Sequence, residues 1–143
     1  MIVVQLLCGA LAILLYLNTL SGELVFDDRA AITENQDLRP SSPWSNLLWH
    51  DFWGDALTHH KSHKSYRPLS SASFKINYHF HQLEVTGYHV VNVILNGIVS
   101  YLYVQLCELL FGGKVWSTGL AGLLFTTHPI HTCLLYTSDA ADE

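Results

Sequence analysis

The sequence predicts an all-α, multi-pass membrane protein, and two features of its layout predict it. Half of the 143 residues are hydrophobic and only 13% are charged, a balance too apolar for an ordinary soluble domain. The apolar residues are also gathered into long runs on either side of one polar, aromatic-rich loop. The net charge of −5 says little about partners, because Asp139, Asp142 and Glu143 all fall at the very end of the chain. No basic patch marks a nucleic-acid partner. Cys8 and Cys107 lie inside apolar runs, where a thiol acts as a small hydrophobe, and Cys133 lies near the end, so no disulfide framework is expected.

Residues 1–20 are expected to form transmembrane helix 1. They carry no charge, and Gln5, Asn18 and Thr19 are the main polar interruptions. A helix of about twenty residues rises roughly 30 Å, which matches the hydrocarbon core of a bilayer. A cleavable signal peptide would have a basic n-region and a shorter apolar core. This run has neither, which favours a membrane anchor and a native start upstream of Met1.

Residues 21–87 form the long loop. Near its start stand two adjacent carboxylates, Asp27 and Asp28. They lie outside the hydrocarbon, where ionisation is cheap, yet close enough to the bilayer to act on a substrate that arrives from the lipid. As a bare dipeptide they read more simply as solvating the start of a loop. Ser42 and Pro43 then suit an N-cap and a first helical position. Trp44, Leu47 and Leu48 follow at i, i+3, i+4, with Trp49, Phe52 and Trp53 after them. An amphipathic helix near 43–53, lying in the membrane interface, is expected from that pattern. His59, His60 and His63 invite a metal, but the spacing lacks a cysteine pair or an HExxH frame, so no metal site is assigned. Lys61, Lys64 and Arg67 place ammonium groups beside a guanidinium, a combination that can hold a lipid phosphate; a solvated charged loop explains them equally well. Pro68 opens a second helix that runs to about His81.

Residues 88–111 are expected to form transmembrane helix 2. Its polar residues His89, Asn92, Asn96 and Ser100 fall on one helical face, suited to contact with other helices or a watery cavity, helix packing being the simpler of the two. Gly112-Gly113-Lys114 makes a tight turn, and residues 115–132 supply a third, truncated span. Three spans would bring the 21–87 loop and the His128–His131 segment out on one side of the membrane. Asp27, Asp28, Lys64, Arg67, His128 and His131 could then share a site. Every basic residue but Lys114 lies in the loop, but the loop is too long for the positive-inside rule to orient it.

Several blocks carry a family resemblance: Phe26-Asp27-Asp28-Arg29-Ala30-Ala31-Ile32, Asp37-Leu38-Arg39-Pro40, Trp49-His50-Asp51-Phe52-Trp53-Gly54, Ser62-His63-Lys64-Ser65-Tyr66-Arg67-Pro68-Leu69, Gly87-Tyr88-His89-Val90-Val91-Asn92 and His128-Pro129-Ile130-His131-Thr132. In this order they resemble the N-terminal part of the TMTC proteins, the transmembrane and tetratricopeptide-repeat (TPR) O-mannosyltransferases of the endoplasmic reticulum. The resemblance implies a GT-C type fold with a long first lumenal loop carrying the acidic pair and short interfacial helices. It implies a dolichyl-phosphate-mannose donor, and Ser or Thr hydroxyls of secretory and cell-surface proteins, cadherins among them, as acceptors. It places the 21–87 loop in the lumen of the endoplasmic reticulum. Carried residue by residue, Asp27 is the general base and Asp28 its partner. Phosphate binding by Lys64 and Arg67, and a site lined by His63, Tyr66, His128 and His131, extend the resemblance by charge and topology. No resident cofactor is implied, and the need for a divalent metal is left open.

The family pattern continues beyond His131-Thr132 with an acidic residue, further spans and helical repeats of about 34 residues. Here residues 133–143 instead resemble the in-frame translation of a sequencing-library adaptor, and they are set aside from the fold. The TPR region is absent from the sequence, and three spans are expected to be too few for a GT-C donor channel, so the segment alone is expected to be inactive. Two other readings stand beside this one. The first is a non-catalytic membrane scaffold of the endoplasmic reticulum that anchors partner-binding repeats. The second is a metal-dependent membrane hydrolase using His59, His60 and His63.

Overall fold

The computed structural model describes residues 1–24 and 27–129. His131 and the adaptor-like tail lie outside the described residues. Among the described residues the chain is helical and has no strand beyond one isolated bridge, His50 to Ala56. It divides into two compact units.

Among the described residues the first unit holds 1–22 and 89–129. Helix α1 (Ile2–Leu15) runs on through a 3-10 turn, Leu17–Ser21. Together they make an apolar stretch, Ile2–Ser21, long enough to cross a membrane. A second such helix, Val85–Leu110, is called α3 below, and a shorter apolar helix, Val115–Thr126, is α4. Small residues set the packing. A Cβ added at Gly97 would lie 2.7 Å from Ile13 Cγ1, and one at Gly9 would lie 3.1 Å from the Gly97 carbonyl oxygen. The two glycines let the backbones of α1 and α3 approach as only small residues allow in membranes. On α4, Gly122 does the same against Val104, where a Cβ would meet Cγ2 at 2.6 Å. The turn between α3 and α4 needs φ of +61° at Gly112 and +75° at Gly113, conformations that cost glycine little.

The polar stripe of α3 is turned into this packing. Asn96 and Ser100 are buried, and neither the Asn96 amide nitrogen nor the Ser100 hydroxyl has a protein partner. Side-chain hydrogen bonds elsewhere tie the unit together. Gln5 Nε2 donates to Glu108 Oε2 at 2.7 Å, and the Tyr16 hydroxyl donates to the His128 carbonyl at 2.8 Å.

The second unit is built from residues 23–88. Its core is Ala31, Ile32, Leu38, Phe52 and Tyr88, with Leu24, Trp53, Phe74 and Tyr78 packed against it. The elements around that core are short: a π-helix, Arg29–Glu34, and two 3-10 helices, Gln36–Leu38 and Trp44–Leu48. The unit also contains a longer regular helix, α2 (Pro68–His81), with Pro68 in the first turn, where a missing N–H costs nothing. The tryptophan-rich segment makes only the five-residue turn Trp44–Leu48, shorter than the amphipathic helix its spacing suggests. Ser42 and Asn46 commit their side chains to Asp37. The chain then folds back into the bridge at His50, which leaves no room for a further helical turn.

Helix α2 buries polar side chains and exposes apolar ones. Ser71, Lys75 and Asn77 are buried, while Leu69, Ile76 and Phe80 stand out at 86%, 50% and 73% exposure. The exposed three share one face at i, i+7, i+11, a stripe of the kind that normally faces a core.

Candidate active site in the polar loop

Asp27 and Asp28 open the helical segment that continues as the π-helix Arg29–Glu34. π-turns inside helices recur at functional sites because they re-aim side chains at the cost of regular hydrogen bonding. Asp28 is buried at 5% exposure and Asp27 is half-buried. Three and four residues on, Ala31 and Ile32 are fully buried in the core, so the acidic pair is carried on an anchored element.

The basic segment is anchored on the same core. The Arg67 guanidinium lies over the Phe52 ring, 5.2 Å from its centroid, and the His63 ring packs against Trp53 at 5.1 Å between centroids. Phe52 is itself a core neighbour of Ala31 and Ile32. The dipeptide Phe52-Trp53 is therefore the common footing of the helix that bears the carboxylates and the turn that bears the cations. Lys64 and Tyr66 are exposed on that turn.

A buried carboxylate fixes the conformation of the turn. Asp51, 4% exposed, accepts the backbone N–H groups of Trp53 and Asp55 at Oδ1, both at 3.0 Å. Its Oδ2 accepts the Ser62 hydroxyl at 2.6 Å. Ser62 Oγ in turn accepts the Lys64 N–H at 3.1 Å, and the Phe52 N–H donates to the Ser65 carbonyl at 2.9 Å. Lys64 is held with φ of +58°, a left-handed conformation that costs a non-glycine residue roughly 1–2 kcal/mol.

A second network, centred on Asp37, escaped the sequence reading. Its carboxylate accepts Ser42 Oγ at 3.2 Å and Asn46 Nδ2 at 2.9 Å through Oδ1, and Oδ2 lies 2.5 Å from His50 Nδ1. With the carboxylate ionised, the His50 ring carries a proton on Nδ1 and donates it to Asp37. Asn35 caps the turn by accepting the Asp37 N–H at 2.9 Å and donating to the Phe52 carbonyl at 3.1 Å. Beneath the network Lys75, 4% exposed, donates to the carbonyls of Asp37 at 2.5 Å, Ser42 at 2.8 Å and Arg39 at 3.4 Å. Burial pushes the Lys75 pKa below 10.5, with the Asp37 carboxylate acting in the opposite sense. The Asn35-x-Asp37 spacing is the one local signal that could have pointed here, as a side-chain-capped turn.

The three histidines of the basic segment do not converge. The His59 and His60 rings pack on each other at 4.5 Å, whereas His63 packs on Trp53. Among the described residues no group of three His, Cys, Asp or Glu side chains is placed to hold a metal ion. His128 belongs to the first unit, where its carbonyl accepts the Tyr16 hydroxyl. His131 is outside the described residues.

Three curated relatives show what the chain is similar to. It is 52% identical over 130 residues to Protein O-mannosyl-transferase tmtc2 of Xenopus laevis, an alignment covering 91% of this chain and 15% of the relative. It is 47% identical over 130 residues to Protein O-mannosyl-transferase TMTC2 of Homo sapiens, with the same coverage of 91% and 15%. It is 44% identical over 117 residues to Protein O-mannosyl-transferase TMTC3 of Homo sapiens, covering 82% of this chain and 13% of the relative. The chain thus spans about 15% of the length of the first two. No family model and no solved structure matches it.

Proposed function

Since this chain belongs to the TMTC family of protein O-mannosyl-transferases, we propose that its polar loop forms part of an active site that moves mannose from dolichyl-phosphate-mannose to Ser or Thr hydroxyls. The acceptors are secretory-pathway and cell-surface proteins of the cadherin type. The loop of residues 21–87 lies in the lumen of the endoplasmic reticulum, within a GT-C type fold completed by the longer protein. The outward apolar face of α2 and the exposed Trp44 and Trp49 support a place for the loop at the membrane surface.

In this reading Asp27 takes the proton of the acceptor hydroxyl as its oxygen attacks C1 of the mannose. The bond from C1 to the phosphate oxygen breaks, and its electron pair leaves with dolichyl phosphate. A phosphate is a good leaving group, so no general acid is needed, whereas the hydroxyl is a weak nucleophile until its proton is removed. Lys64 and Arg67 stabilise the charge that grows on the departing phosphate. Base and leaving group act on opposite faces of the sugar, so the anomeric configuration inverts, as in inverting glycosidases. Asp28 is the partner of Asp27 in the pair, and His63 and Tyr66 line the site.

The observation that carries the reading is the acidic pair: Asp28 is buried into the fold, with the more open Asp27 beside it, on an element anchored through Ala31 and Ile32. The test is Asp27→Asn in the full-length protein. Transfer should fall by about 10²–10⁴-fold, the usual contribution of a positioned base, while membrane insertion is unchanged. Near-normal transfer by that variant refutes the assignment.

A further inference from the structure

Lys64 is one of two non-glycine residues with positive φ among the described residues, and it is the residue whose ammonium the reading above sets against the donor phosphate. A strained backbone of this kind persists only where neighbouring groups over-determine it, and such positions gather at ligand clamps. Here the determining groups are visible. Ser62, 8% exposed, accepts the Lys64 N–H and donates to Asp51. Asp51 is held in place by two backbone N–H groups, from Trp53 and Asp55. The carbonyl of Ser65, the next residue, is fixed by the N–H of the core residue Phe52. The carboxylate and the hydroxyl are both buried, and the strained turn they hold carries the exposed Lys64.

We infer that Ser62 and Asp51 are positioning residues for the donor: their hydrogen bond locks the turn so that the Lys64 ammonium is presented to the lipid phosphate before binding. This rests on the donor-phosphate reading of Lys64 and Arg67. Pre-organising a binding group lowers the ordering cost of association. Loss of the lock therefore weakens donor binding and leaves the proton transfer at Asp27 untouched.

The experiment is initial-rate kinetics on the full-length protein in its membrane, varying dolichyl-phosphate-mannose at saturating acceptor and then the reverse. Ser62→Ala is expected to raise the donor KM about tenfold, the signature of lost ground-state binding, with kcat and the acceptor KM nearly unchanged. Ser62→Thr, which keeps the hydroxyl, should restore most of the loss. Adding Lys64→Ala to Ser62→Ala should cost less than Lys64→Ala costs alone, because groups acting as one unit are not additive. A Ser62→Ala enzyme with an unchanged donor KM, a loss confined to kcat or the acceptor KM, or strictly additive losses overturns the inference. If Ser62→Ala does not fold, Asp51→Asn carries the same expectation. It keeps an acceptor for the Trp53 and Asp55 N–H groups and removes the one that Ser62 uses. A wild-type protein that transfers no mannose removes the proposed function as a whole. An active wild type with an indifferent Ser62 removes the positioning role alone.

Discussion

Lys75→Met removes a buried ammonium while keeping most of the side-chain bulk. The ammonium donates to carbonyl oxygens at 2.5 and 2.8 Å, with a third at 3.4 Å, and only 4% of the residue is exposed. Hydrogen bonds to charged groups contribute about 1.5–3 kcal/mol each, and desolvation of the ammonium offsets part of that sum. The net loss is then about 2–4 kcal/mol, carried by the two short bonds. The carbonyls of Asp37 and Ser42 lose their donor, and methionine offers no replacement. The assay is hydrogen exchange read by mass spectrometry on the full-length protein, following peptides that cover residues 35–50. Protection there should fall by about thirtyfold to a thousandfold, at 1.36 kcal/mol per factor of ten. Peptides from α1 should keep their protection. A change below about 0.5 kcal/mol, the level of an ordinary surface substitution, would refute the assignment of Lys75 as the group that holds the 37–42 turn.

Two further outcomes follow from the same region. Because the folded-state pKa of Lys75 lies below 10.5, the folded loop binds fewer protons than the unfolded chain in the alkaline window just under that value. The contribution of Lys75 to stability therefore rises with pH through the window and is at its lowest below the folded pKa. Thermal melts of wild type against Lys75→Met from pH 8 to 10.5 should show this extra upward slope in the wild type alone, and a downward slope would contradict it. Gly54 has φ of +95°, and a Cβ there would lie 2.5 Å from Asn35 Oδ1. Gly54→Ala should cost about 2–4 kcal/mol by strain and displacement of the Asn35 cap, visible as lost exchange protection at residues 35–37.

The parts that could be read from sequence are those whose signal is local. The uncharged run of α1 and the proline that starts α2 announce themselves within a few residues, and the acidic and basic segments stand out as charge against an apolar background. The parts that could not be read depend on partners far away in the chain. Nothing near Lys75 distinguishes it from a solvated lysine; its role comes from carbonyls 33 to 38 residues earlier. The Trp44 segment has helical spacing, but Asp37 recruits Ser42 and Asn46 and the turn closes early. The histidines look like a cluster in sequence because their spacing is short, yet the rings of His63 and His59 pack on different neighbours. Asp51 and Ser62 each look like ordinary polar loop residues, and only the fold makes them one unit.

The Asp37 network also implies an order of events in time. Ser42, Asn46 and His50 lie 5, 9 and 13 residues from Asp37, so closing those loops costs little chain entropy and can happen soon after the segment is made. Lys75 lies 38 residues from Asp37 and emerges later in synthesis, so until then the carbonyls of the nascent turn have no ammonium to meet. The turn is therefore expected to form first, held by its local contacts alone, and to gain the Lys75 ammonium only when α2 is made. Until then the Asp37 carboxylate and its carbonyl neighbours are expected to present to water an acceptor-rich surface that the finished fold buries.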